Sequence, residues 1–308
     1  MQKVIKLAKK TLEEGNLIIF PTETVYGLGG DATNIDAIKK IYKLKKRPNS
    51  NPLICHFANI QKVEENFQIN IIDNLLIKKF WPGPLTLILK KKSSSLINSS
   101  LSNNVDLVGC RVPSNKIALK ILNAINFPIA APSANMTTKI SSTQFNHLSD
   151  NLKSNAFSID GGKSILGLES TVIQTFNKKI KILRLGSITI EEINIAFPKI
   201  EIEIDNFNSK ISPGNQIKHY SPNLPIRINV TEVKKNEALI NFGVNNLKSD
   251  ICEYNLSNKG NLKEASKNLF NFLHLIDKCN CSGIAVAPIP NNGLGKTIND
   301  RLIRASII

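Results

Sequence analysis

No apolar run in this sequence reaches the roughly 18 residues that a membrane-crossing helix requires. Residues 1–12 alternate lysine with apolar positions, where a secretory leader would carry an apolar stretch and a small-residue cleavage site. Neither membrane insertion nor a signal peptide is expected, and a cytoplasmic location is. Cysteine is sparse: five residues, Cys55, Cys110, Cys252, Cys279 and Cys281, scattered and odd in number. That pattern suits a reducing compartment better than a disulfide framework. With four dispersed histidines and a single C-x-C, no metal site is expected. A Walker P-loop, a dinucleotide fingerprint and a nucleophile elbow are all missing. No Ser or Cys has His and acid arranged around it for covalent catalysis. There is no internal repeat.

What is present is a chain of 308 residues, 42% hydrophobic, enough for two domains or one large one. Lys and Arg number 40 against 24 Asp and Glu, a net charge of +16. Such a balance attracts polyanions. The excess is mostly lysine spread evenly among Asn and Ile, which reads as a compositional bias. A non-catalytic, structured-RNA-binding role therefore stands only as the alternative to an enzymatic one.

Apolar spacing predicts a helix over 3–12, a buried strand over 17–20, and a helix from Asn34 to about Lys45 with Ile35, Ile38, Ile41 and Tyr42 inward. Strands are expected at 53–57, 85–89, 105–112, 129–131, 157–160, 171–175 and 180–185, and helices at 71–80, 116–125 and 189–197. Several strands are neighbours with no helix between them. The expected fold is therefore α/β, with a twisted sheet of mixed parallel and antiparallel strands. Residues 90–104, rich in Lys, Ser and Asn, are expected as a mobile loop. Residues 198–224 carry Ser212-Pro213-Gly214 and Ser221-Pro222 around His219-Tyr220 and read as a linker with fixed turns. Strands at 226–230, 238–242 and 283–287 and helices at 262–275 and 300–306 make a small second α/β domain. The predicted division is a catalytic domain 1–205, a linker or lid 206–224 and a C-terminal domain 225–308.

Phe20 to Gly29 reads FPTETVYGLG, directly after Leu17-Ile18-Ile19. Pro21 has no N–H to give a ladder, so a strand is expected to stop there and release hydroxyls and one carboxylate. Gly27 and Gly29 are expected to turn the chain. Lys45-Lys46-Arg47-Pro48 stands at a helix end, with Asn51 and His56 close behind. Cations, an amide and an imidazole gathered there suit a phosphate-bearing substrate. Arg111 and Arg184 close predicted strands, Ser133 and Asn135 follow another, and Gly167 precedes Ser170. Cations and small hydroxyls with little acid suit an anionic nucleotide and charge developing on phosphorus.

Taken in order, several motifs resemble the YrdC-type family of threonylcarbamoyl-AMP synthases: PTETVYGLG at 21–29, K-x-R-P-x-x-N-P-L at 45–53, His56, FWPGPLT at 80–86, R-x-P at 111–113, APSAN at 131–135 and G-x-E-S-T-V at 167–172. SPG…KHYSP at 212–222 and GLG…DRLIRA at 293–305 are similar to the longer, two-domain form. The resemblance implies a YrdC-like, DHBP-synthase-like sheet with a small Rossmann-like C-terminal domain. It implies an enzyme that joins L-threonine, bicarbonate and ATP into threonylcarbamoyl-AMP and releases pyrophosphate. A downstream transferase complex would then pass the group to the adenosine beside the anticodon of tRNA. It implies a catalytic set of Lys45, Arg47, Ser133 and Asn135. Threonine contacts would be Thr24, His56, Arg111, Ala131 and Ser170. ATP contacts would be Arg47, Asn51, Ser133, Ser141 and Arg184, with His219 and Tyr220 folding over the site. Mg²⁺ would accompany the nucleotide, and weak tRNA or double-stranded RNA binding would follow. A carbamate reverts in water, so a lid is useful chemistry. The sequence departs from the family pattern at Leu185 (usually proline), at Asn115 (usually histidine), in Ser141-Ser142-Thr143, which lacks a proline, and at Asn215 and Ile217 of the linker.

Overall fold

Runs of β-branched and leucine residues, closed by Pro, Gly or Asn, fold into two sheets in the computed structural model, which describes residues 1–102, 105–205 and 218–307. The first sheet contains β1 (Ile18–Phe20), β2 (Gly27–Asp31), β3 (Ile54–His56), β4 (Phe67–Gln68), β5 (Leu85–Lys91), β6 (Leu107–Arg111), β7 (Ile129–Ala130), β8 (Phe157–Ser158), β9 (Thr171–Phe176), β10 (Lys179–Arg184) and β11 (Ile202–Ile204). Among the described residues its order is β11-β10-β9-β5-β6-β3-β7-β2-β1-β8, with β4 beside β5. The pairs β1–β8, β3–β6, β5–β9 and β10–β11 are parallel and the others antiparallel. This is the mixed sheet that neighbouring strands without intervening helices predict.

Gly27 and Gly29 do not turn the chain. They lie inside β2, paired to β1 in the register Phe20↔Gly27 and Ile18↔Gly29, and neither has a positive φ. What glycine supplies here is room. A Cβ on Gly29 would stand 2.6 Å from Ile129 Cγ2 and 2.8 Å from Phe20 Cε1. Asn34 caps the helix Ile35–Lys45 by accepting from the amides of Asp36 and Ala37, and Lys46, left-handed at φ 51°, ends it before Pro48. Ile35 follows the cap directly and faces solvent, contrary to expectation, while Ala37, Ile38, Ile41, Tyr42 and Lys45 are buried. Residues 90–102 are not a loose loop either. Ile97 and Leu101 are buried in the core. Lys91 Nζ donates to the Ile97 carbonyl at 3.0 Å and to Ser99 Oγ at 2.9 Å. Asn103 and Asn104 lie outside the described residues, as do residues 206–217 of the expected linker, Asn215 and Ile217 included. Ile202–Ile204, expected in that linker, instead extends the sheet beside β10.

The second sheet holds β12 (Ile226–Arg227), β13 (Glu237–Asn241), β14 (Glu253–Asn255) and β15 (Gly283–Val286), in the order β12-β15-β13-β14 with every pair parallel. The helices Leu262–Ile276 and Leu294–Ala305 accompany it; the latter begins ahead of the expected 300. Its core does not stop at the sheet. Val25, Ile140 and Leu168 of the first part pack in one cluster with Tyr220, Leu269 and Phe270. Across the same boundary the His147 and His274 rings stack at 4.0 Å, and Gln144 Nε2 donates to Asn271 Oδ1 at 2.6 Å. Burial, then the neighbouring His274, pushes His147 down to about 3, with Lys278 and Lys163 acting in the same direction. Burial likewise pushes His274 down to about 4, against its contact with the Ser141 carbonyl and the nearby Asp277.

Gly29→Ala should destabilise the fold by about 1–3 kcal/mol through overpacking at Phe20 and Ile129, read as a lower denaturation midpoint with an unchanged slope. The histidine stack sets a pH dependence. An unfolded histidine takes up its proton near pH ~6.5, whereas the folded pair refuses one until about 3 and about 4. The contribution is complete above the unfolded value and is lost as pH falls below it, because the unfolded chain then binds more protons. Urea midpoints should drop between about pH 7 and about pH 5, and drop less in His147→Asn. Equal pH slopes in the two proteins would contradict this.

Candidate active site

The β1–β2 hairpin ends in a tip, residues 21–26, that turns back on itself. Thr22 Oγ1 donates to the Val25 carbonyl at 2.6 Å and sits 2.8 Å from Thr24 Oγ1. Tyr26, buried, donates through its hydroxyl to the Gly162 carbonyl at 2.7 Å and accepts from the Gly161 amide at 3.0 Å. These bonds make the tip one wall of a cleft. The facing walls carry Arg47, His56, Arg111, Ala131, Ser133, Glu169, Ser170 and Arg184, with His219 and Tyr220 over them. Strand pairing brings the side chains together: the register His56↔Arg111 sets the two at adjacent strand ends, and Gly27 bridges Ser133.

The cations are buried and each is held. Arg111 donates from Nη2 to Glu23 Oε1 at 2.6 Å and from Nη1 to Thr24 Oγ1 at 3.0 Å. Its Nε and Glu23 Oε2 are buried with no partner. Arg47 donates from Nε to the Asn51 carbonyl at 2.9 Å, and from Nη2 to Asn51 Oδ1 at 2.5 Å and the Pro52 carbonyl at 2.8 Å. Arg184 donates from Nη2 to the Ser170 carbonyl at 2.8 Å and to Ser170 Oγ at 3.1 Å, and Thr86 Oγ1 lies 2.7 Å from that hydroxyl. Burial lowers Arg47 to about 10 and lowers Arg184 too. Burial, then Arg111, pushes His56 down to about 3, so the imidazole is neutral near pH ~7. Its Nδ1 is buried without a partner. His219 is held well below the ordinary histidine range by burial and then by Arg47.

Ten of the expected contacts line the cleft: Thr24, Arg47, His56, Arg111, Ala131, Ser133, Ser170, Arg184, His219 and Tyr220. Lys45, Asn51, Asn135 and Ser141 stand behind it. Lys45 donates to the carbonyls of Ser133 and Asn135, and burial, then Arg47, lowers it well below the usual lysine range. Asn51 supports Arg47. Asn135 Nδ2 donates to the Lys139 carbonyl at 2.7 Å. Ser141 donates to Glu169 Oε1 at 2.6 Å. Sequence reasoning missed Glu23, Glu169 and Arg301, whose Nε donates to Glu169 Oε2 at 2.9 Å. Glu23 and Glu169 sit inside motifs already singled out; a lone acid among hydroxyls and glycines was the available signal. Asn115, in place of the usual histidine, caps the helix Lys116–Leu122 by accepting from the amides of Ile117 and Ala118.

Known proteins are similar to this chain in sequence and fold. Residues 10–186 match the Sua5/YciO/YrdC family model, described as "Telomere recombination". Residues 188–306 match one described as "Threonylcarbamoyl-AMP synthase, C-terminal domain". The chain is 32% identical to the threonylcarbamoyl-AMP synthase of Pyrococcus abyssi over 98% of its own length and 94% of the relative's. It is 34% identical to that of Bacillus subtilis, over 98% and 92%. The crystal structure of P. abyssi Sua5 complexed with L-threonine superposes with a TM-score of 0.86 at 32% identity, covering 98% of this chain and 94% of that one. Motif order, mixed sheet, second domain and near end-to-end similarity converge: the chain belongs to the Sua5/YrdC family of threonylcarbamoyl-AMP synthases, in its two-domain form.

Proposed function

We propose that this protein makes L-threonylcarbamoyl-AMP from L-threonine, bicarbonate and ATP, releasing pyrophosphate, as the first step of threonylcarbamoyladenosine formation in tRNA. The observation that carries the assignment to these residues is the cleft itself, where three arginines, a neutral imidazole and small hydroxyls converge between strand ends. In the first step the threonine amine attacks bicarbonate carbon, giving the N-carboxylate and water. A carboxylate oxygen then attacks the α-phosphorus; the new O–P bond forms as the Pα–O–Pβ bond breaks and pyrophosphate leaves. Two anions must meet, and fixed cations offset their repulsion. Arg111, with Thr24 beside it at 3.0 Å, takes the threonine carboxylate in this reading. The Arg111–Glu23 pair keeps that guanidinium's plane fixed. His56, Ala131 and Ser170 line the same end; a neutral His56 offers a hydrogen-bond partner rather than another charge. Arg47, Ser133 and Arg184 serve the phosphates, Arg47 propped by Asn51. Lys45 and Asn135 shape the 133–135 turn from behind, and Ser141 acts through Glu169. His219 and Tyr220 cover the nucleotide, which keeps water from the labile carbamate.

The division into 1–205, 206–224 and 225–308 is supported by β11 still pairing in the first sheet and β12 opening the second. Among the described residues no three His, Cys, Asp or Glu side chains gather to hold a metal. Mg²⁺ is proposed to arrive on the ATP phosphates, with water completing its shell. Among the described residues no helix is long and apolar enough to cross a membrane; a cytoplasmic setting, a downstream threonylcarbamoyl-transferase complex and weak tRNA or double-stranded RNA binding belong to the proposal.

Pyrophosphate release should require threonine, bicarbonate and ATP together; release independent of threonine would refute the reading. Arg47→Ala and Lys45→Ala should each lower the threonine-dependent rate by at least about 10². Near-normal turnover in either variant would remove that residue from the machinery.

A further inference from the structure

The closing DRLIRA motif is not used by the chemistry above, yet one of its side chains reaches the cover of the site. Arg301, on the helix Leu294–Ala305, is only 1% exposed. Its guanidinium carbon lies 4.8 Å from the centre of the Tyr220 ring. The Phe270 ring stacks with Tyr220 at 5.5 Å and 23°. The same guanidinium donates to Glu169 Oε2 at 2.9 Å and to the Leu185 carbonyl at 2.7 Å, and pairs with Asp300. Glu169 faces the cleft and takes Ser141 on its other oxygen at 2.6 Å. The backbone beside Tyr220 is tied to both parts of the chain. The His219 amide donates to the Arg304 carbonyl at 3.2 Å, and the Ser221 amide to the Thr138 carbonyl at 2.8 Å. Tyr220 itself is left-handed at φ 63°, a conformation that a tyrosine holds only where its surroundings impose it.

We infer that Arg301 is a positioning residue for adenylate synthesis: it clamps the Tyr220 ring over the nucleotide and fixes Glu169 beneath it, so the C-terminal domain is the seat on which the cover of the active site rests. The inference rests on the synthase reading for what is covered, though the tether itself is geometric. A planar fork is required. The guanidinium lies over the aromatic ring while its nitrogens reach a carboxylate and a carbonyl in fixed directions, which a lysine ammonium cannot do. Arg301 touches no reacting atom in this arrangement; it acts through Tyr220 and Glu169.

The test compares the full-length protein with Arg301→Lys, Tyr220→Leu and the double variant. Hydrogen exchange is the readout that does not depend on activity. In R301K the amides of Tyr220 and Ser221 should exchange at least about tenfold faster while β13 and β15 keep their protection. Unchanged exchange at Tyr220 and Ser221 would overturn the inference. In threonine-dependent pyrophosphate release, R301K should raise KM for ATP about tenfold and leave KM for threonine within about twofold, and the double variant should be no worse than either single one. Independent, multiplying effects, or equal rises in both KM values, would also overturn it. If R301K loses protection in β13 and β15 as well, Tyr220→Leu decides: leucine keeps an apolar side chain at the position while removing the ring that Arg301 lies over, and it must reproduce the exchange and KM changes. If the wild-type protein releases no threonine-dependent pyrophosphate, the synthase reading fails, while the exchange comparison still judges the tether.

Discussion

Like charges crowd into one buried cleft, and the architecture is arranged around keeping them there. Two unit charges 4 Å apart at an effective dielectric of about 20 repel by about 4 kcal/mol, and burial adds a desolvation penalty for each. Carboxylates could offset both, but a cleft neutralised by acids would no longer draw a triphosphate or an amino-acid carboxylate. The chain leans instead on uncharged acceptors. Arg47 rests on carbonyls of residues 51 and 52, Arg184 on that of Ser170, and Lys45 on those of Ser133 and Asn135. Strand and turn backbones hold these dipoles rigidly, so they satisfy hydrogen bonds without cancelling the field. Among the described residues, Glu23 and Glu169 are the carboxylates at the cleft, and each is committed to an arginine.

The sequence made much of this legible because the relevant chemistry is concentrated at strand ends. Apolar runs closed by proline or glycine locate β1, β3, β6 and β7, and a cation or hydroxyl one step beyond such a run points into the crevice that those strands form. The same logic misread β2. Three glycines in five residues look like a turn, and only the neighbours in space, Phe20 and Ile129, reveal that they are a strand thinned for packing. The hydrophilic stretch 90–102 misled for the converse reason: two buried apolar residues among many polar ones, Ile97 and Leu101, suffice to pin it. Partnerships across long separations were out of reach altogether. Nothing local in Arg301 announces Glu169, 132 positions away.

The two parts of the chain are less independent than their separate sheets suggest. Val25, on the hairpin tip that lines the cleft, packs in the same apolar cluster as the helix Leu262–Ile276, and Gly167 lies so close to that helix that a Cβ would stand 2.6 Å from Lys267 Cα. The helix Leu262–Ile276 therefore acts as a buttress for the loop that carries Glu169 and Ser170. A second domain of this kind can serve catalysis without contributing a single reacting group.

Only six of the 40 basic residues are arginine: Arg47, Arg111, Arg184, Arg227, Arg301 and Arg304. Three of them line the cleft and a fourth lies over the ring of its cover. Lysine supplies the other 34, and among the described residues every one but Lys45 is at least partly exposed, where a flexible point charge is as good as any other. Whatever pressure fills this sequence with lysine halts where a flat, five-donor fork is needed. Choice of cation thus works here as an internal tracer, separating charge that the solvent could replace from charge whose shape is fixed by its partners.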